Sequence, residues 1–151
     1  VEAPPRSPEP GSLAHTERQP REWSSVEHYY QAQKFSGRAS PAAAALVEAV
    51  AAAGSPEEAA RVGRAGARLH PELLTPSWHR VKVAVMLGAL RAKFAQHAAP
   101  RAQLLATATP GPPARLVEAS PNDFFWGAGH TGRGRNALGQ LLNLVRTELK
   151  E

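Results

Sequence analysis

After Thr75-Pro76 the chain runs without proline to His97. Over that stretch Trp78, Val81, Val85, Ala89 and Phe94 recur near the helical period, widened by Met86 and Leu90. A helix with such a stripe must bury it, so the spacing predicts a core helix around which a small domain packs. A second stripe, Leu138, Leu141, Leu142, Val145 and Leu149, predicts a last helix starting near Asn136 that packs on the first.

Shorter helices are marked by their starts. From Trp23 the pattern turns helical, with Ser24 three residues before Glu27 and Val26, Tyr29, Tyr30 and Phe35 following. Ser40-Pro41 opens a second helix that runs through alanines to Val50 and stops near Gly54. Ser55-Pro56 with Glu58 opens a third, with Ala59, Val62 and Ala65 in register. Pro100, Pro110, Pro112 and Pro113 break the following stretch, and Arg115-Leu116-Val117-Glu118 is the best strand candidate. The expected fold class is α+β: a mainly helical single domain over residues 23–151 with a small antiparallel sheet. Residues 1–22 hold five prolines and almost no large apolar side chain, so they read as a disordered tail.

A chain of 151 residues can bury a core without staples. The lack of cysteine excludes disulfide scaffolds, a thiolate nucleophile and Cys-ligated metal. The six histidines show no H-x-x-x-H pair and no carboxylate at ligand spacing, so no metal is expected, and no cofactor either. No run approaches the roughly 20 apolar residues of a membrane span and no signal peptide opens the chain, so a soluble, cytoplasmic protein is expected. The net charge is +5; four glutamates against three arginines put −1 on residues 1–22 and leave +6 on the rest. That surplus suits a phosphorylated small molecule or a nucleic acid, and equally an ordinary solvated surface, as the spread of Arg61, Arg64, Arg68, Arg80, Lys82, Arg91, Lys93 and Arg101 suggests.

Three features could carry chemistry. Gly127, Gly129 and Gly132 match G-x-G-x-x-G in form, but no second strand follows before Glu151, so a dinucleotide fold is not expected. What survives is either a flexible glycine loop or one whose amides, with Arg133 and Arg135, approach an anion at a helix start. Asp123, the sole aspartate, is a turn residue or a carboxylate desolvated by the aromatic residues after it, among which Trp126 is a base-stacking ring or a core anchor. Glu27 is a capping-box residue bonded to Ser24, which its spacing favours, or a catalytic carboxylate in a first turn with His28, Gln31 and Lys34 nearby.

Taken together, several segments resemble the NADAR domain family, the YbiA-like N-glycosidases. They are Trp23-Ser24-Ser25-Val26-Glu27-His28-Tyr29-Tyr30-Gln31 through Lys34-Phe35, Ser55-Pro56 through Gly63-Arg64, Trp78 to Met86, Leu90 with Lys93-Phe94, Leu104 to Thr107, and Leu116 to Glu118. Asn122-Asp123 to Gly127 with Gly129, and Asn136 with Leu138-Gly139 to Arg146, complete the set. The resemblance spans residues 23–149 in unbroken order. It implies a YbiA-like fold and hydrolysis of an N-glycosidic bond in phosphoribosylamino-pyrimidines, the early intermediates of riboflavin synthesis, giving ribose 5-phosphate and a base. Other branches bind or cleave ADP-ribose derivatives, including ADP-ribosyl-guanine in nucleic acid, which is the alternative expectation. By resemblance Glu27 is the catalytic residue, and Asp123 is the natural second carboxylate of a glycosidase pair. Lys34, Arg64 and Lys93 are then candidates for the phosphate, Trp126 and Gly127 for the base side, and Asn136 for ribose or phosphate. The family's usual opening segment, a Phe-Tyr strand and a Phe-Ser-Asn-Phe motif, has no counterpart in residues 1–22, and the expectation is a chain lacking it.

Overall fold

The computed structural model describes residues 21–108 and 110–151. They form six α-helices, α1 (Val26–Ser36), α2 (Pro41–Ala51), α3 (Pro56–Leu69), α4 (Trp78–Gln96), α5 (Ala98–Ala106) and α6 (Ala137–Glu148), with a single 3₁₀ turn at Pro71–Leu73. Of the expected tail, residues 1–20 lie outside the described residues. Arg21 is held by Glu48 through two hydrogen bonds of 2.6 and 3.0 Å and stacks its guanidinium 4.7 Å from the Trp23 ring centroid.

Local chemistry explains most helix starts. Ser40 and Ser55 are extended, and their hydroxyls accept from the Ala43 and Glu58 amides, with Pro41 and Pro56 at the first helical positions. Helix α1 is capped one residue later than the spacing suggested: the Ser25 hydroxyl accepts from the His28 amide at 3.2 Å and lies 2.7 Å from the His28 ring. Glu27 therefore closes no capping box. Helix α5 was not expected, because Pro100 reads as a breaker. It sits in the first turn, where its missing N–H costs no helical bond.

Two cores meet on α1. On one side Tyr30, Trp78, Met86, Leu90, Phe94, Leu104 and Val145 are buried together, with Val85, Leu138, Leu141 and Leu142 packed on them. The two apolar stripes thus face each other as the spacing predicts, except that Val81 turns to solvent. On the other side Ala32, Val50 and Ala59 join α1, α2 and α3.

The expected antiparallel sheet is a correction: no strand occurs among the described residues. Residues 113–120 take no regular secondary structure, and a side chain bonds two of their backbone groups. The Asn136 carboxamide donates to the Leu116 carbonyl and accepts from the Glu118 amide, both at 2.9 Å, offering the donor and acceptor that a neighbouring strand would supply. The Glu118 carbonyl then accepts from the Ala128 amide at 2.8 Å. Among the described residues the regular structure is all helical, with the irregular segment 113–120 pinned by the loop before α6.

Candidate active site

Glu27, Tyr30, Gln31 and Lys34 recur at i, i+3, i+4 and i+7 on α1 and so share one face. With Ser25 as the cap, the Glu27 carboxylate is free for other work. Its Oε1 accepts from Gln31 Nε2 at 2.7 Å, and its Oε2 has no hydrogen bond among the described residues. Glu27 also edges a cleft of about 360 Å³ whose walls include Val26, Met86, Leu90, Leu142 and the exposed Lys93. A broader groove of about 1040 Å³, along Trp23, Tyr29 and His97, includes neither Glu27 nor Lys34.

Lys34 is only 9% exposed and lies 5.7 Å from the Tyr30 ring centroid. Burial pulls its ammonium down to about 8, with Arg64 and Lys82 pushing the same way and Glu27 opposing. A long helical side chain leans toward the helix N-terminus, which carries this ammonium back toward Glu27. Lys34 thus feels one carboxylate, Glu27, and two cations, Arg64 and Lys82.

Tyr30 is buried between Trp78 and Trp126, with ring centroids 5.3 and 5.5 Å away. Its phenol oxygen accepts from the Trp126 indole N–H at 3.3 Å. Burial pushes the phenol up to about 12, the Trp126 bond opposes, and Glu27 and Asp123 add to the rise. Tyr30 therefore keeps its proton throughout the physiological range.

The loop between residues 118 and 136 closes this end. Asp123 Oδ1 accepts from the Phe125 and Trp126 amides at 3.0 and 2.7 Å, while Oδ2 makes no hydrogen bond among the described residues. Phe125 carries Lys82 Nζ 3.7 Å from its ring centroid, with the Arg135 guanidinium at 5.6 Å. Among the described residues no three His, Asp or Glu side chains gather as a metal would require.

The structure thus lets Lys34 feel both Glu27 and Arg64, sets Lys93 on the cleft that Glu27 edges, and lets Asp123 act on Tyr30. It places the other three candidates in the scaffold. Gly127 is buried and its carbonyl accepts from the Asn136 amide at 3.0 Å. The Trp126 ring is packed on the core with its N–H given to Tyr30. Asn136 is 3% exposed, its carboxamide committed to residues 116 and 118. Two participants went unread in the sequence, Tyr30 and Lys82. Tyr30 stands three residues after Glu27, and Lys82 one turn after Trp78, which packs on Tyr30, so helical spacing was the available signal.

The NADAR domain profile matches residues 7–150. The chain is 46% identical over 127 residues to "Riboflavin biosynthesis protein PYRR, chloroplastic" of Zea mays, covering 84% of this chain and 20% of that protein. It is 47% identical over 127 residues to N-glycosidase YbiA of Escherichia coli strain K12, covering 84% of this chain and 71% of that one. The NMR structure of E. coli YbiA superposes with a TM-score of 0.68 at 45% identity, over 85% of this chain and 68% of that chain.

Proposed function

The chain belongs to the NADAR domain family, and on that premise we propose that it is an N-glycosidase hydrolysing the bond between a phosphorylated ribose and an aminopyrimidine, releasing ribose 5-phosphate and a base. The observation that carries this reading is Glu27: a carboxylate relieved of capping, held through one oxygen by Gln31, with its other oxygen without a hydrogen bond among the described residues beside a cleft, and with Lys34 along the same helix face.

Breaking the C1′–N bond develops positive charge on the ribose, which an adjacent carboxylate stabilises. In this reading Glu27 faces C1′ and takes the proton of the attacking water as its oxygen bonds to C1′. The leaving nitrogen departs with the electron pair of the broken bond and takes the proton that Glu27 received from the water, which leaves the carboxylate ionised again and divides one water between ribose and base. Lys34, Arg64 and Lys82 hold the phosphate, with Lys34 on the same helix face as Glu27. Lys93 adds charge at the cleft. Tyr30, protonated at working pH, is a hydrogen-bond donor toward the sugar. Asp123, with Oδ1 spent on the loop, is the second carboxylate of the pair.

The test is incubation of the protein with a phosphoribosylamino-pyrimidine and, separately, with ADP-ribosyl-guanosine, following release of the free sugar phosphate. Release from the pyrimidine supports the proposal. Cleavage of the ADP-ribosyl compound alone moves the substrate to the ADP-ribose class, and cleavage of neither overturns the hydrolase reading.

A further inference from the structure

Gln31 is 4% exposed, and its side-chain oxygen is buried with no hydrogen-bond partner among the described residues. A buried carbonyl without a donor is disfavoured, and rotating the amide would not place both of its ends equally well. With Nε2 toward Glu27, an ionised carboxylate receives a donor; with the amide reversed, two oxygens would face each other and only a protonated Glu27 could bond there. The orphaned oxygen lies where α3 has Gly63. A Cβ at that position would stand 2.8 Å from both Cβ and Cδ of Gln31 and would overlap its oxygen. The close approach of α1 and α3 thus depends on glycine and encloses the amide.

We propose that Gln31 is a positioning residue: locked over Gly63, it donates to Glu27 Oε1 and fixes the rotamer of that carboxylate. The proposal rests on Glu27 being the catalytic carboxylate, but the state of Glu27 can be read without turnover. The charged and titratable groups that bear on it are Tyr30 and Lys34 on α1 and Lys93 of α4 across the cleft, while Arg64 and Lys82 act on Lys34 and Asp123 acts on Tyr30. Helix α6 contributes only Leu138 and Leu142 to the cleft. None of these groups replaces the Gln31 donor at Glu27 Oε1.

The experiment is a carbon-detected NMR titration of the Glu27 carboxyl in the wild-type protein and in Gln31→Leu and Gln31→Met, which remove the donor and the orphaned oxygen together. The midpoint should move up by about one pH unit in both variants, since a lost donor disfavours the charged form. Thermal stability should change little, because the donor lost to Glu27 Oε1 is offset by removal of the orphaned Gln31 oxygen. Where the wild type turns over substrate, kcat should fall about tenfold or more with KM little changed, and the acidic limb of the kcat profile should move with the NMR midpoint. An unmoved midpoint overturns the proposal whatever the activity. A moved midpoint in a protein that hydrolyses no glycoside keeps the positioning role and rejects the hydrolase reading instead.

Discussion

Lys34 places an ammonium where water cannot fully solvate it, and no ion pair offsets this among the described residues. Folding lowers its pKa from 10.5 to about 8, so between those values the unfolded chain binds more protons than the folded one. Stability therefore rises as pH climbs through that window, and the cost of the buried charge is present in full below about 8. Lys34→Met should raise stability at pH 7 by about 2 kcal/mol, or about 4–8 °C in Tm, while raising KM for a phosphorylated substrate. An unchanged Tm would contradict the burial. The same proton makes KM in the wild type rise as pH passes about 8. Spacing alone placed Glu27, Gln31 and Lys34 near one another. It also set Tyr30 on that face, but not the burial of its phenol, which comes from Trp126, 96 positions away in the chain.

Element boundaries were legible wherever a cap is a local device, as at Ser40 and Ser55, and less so where two serines compete, as at Ser24 and Ser25. The misreading of residues 115–118 has a different origin. Leu116 and β-branched Val117 suit a strand, but whether such a segment joins a sheet depends on what meets it. Asn136, in the left-handed region at φ 50°, supplies both hydrogen bonds, and Gly139 leaves room for its amide. Asn136→Gly keeps that backbone conformation accessible and deletes the carboxamide, which isolates the two bonds. It should cost about 2 kcal/mol, since the Leu116 carbonyl and the Glu118 amide each lose a partner. Urea unfolding with a loss below about 0.5 kcal/mol would show that water replaces them.

Across the molecule, α1 separates an aromatic core on α4 and α6 from a small-residue core on α2 and α3, and its chemical face opens between them. Among the described residues no helix is long and apolar enough to cross a membrane. The positive surplus of residues 23–151 acts over the whole surface, so KM for a phosphorylated substrate should rise several-fold between about 10 mM and 150 mM salt, as screening shortens the reach of the field. A KM indifferent to salt would remove the phosphate from the account. The central claim is that Glu27 does chemistry rather than capping. It is tested most directly by turnover of a phosphoribosylamino-pyrimidine by Glu27→Gln, measured beside its Tm. Because Ser25 caps α1, Tm should stay within about 1 °C, and kcat should fall about 10²-fold or more with KM little altered. A variant that retains wild-type kcat would contradict the claim.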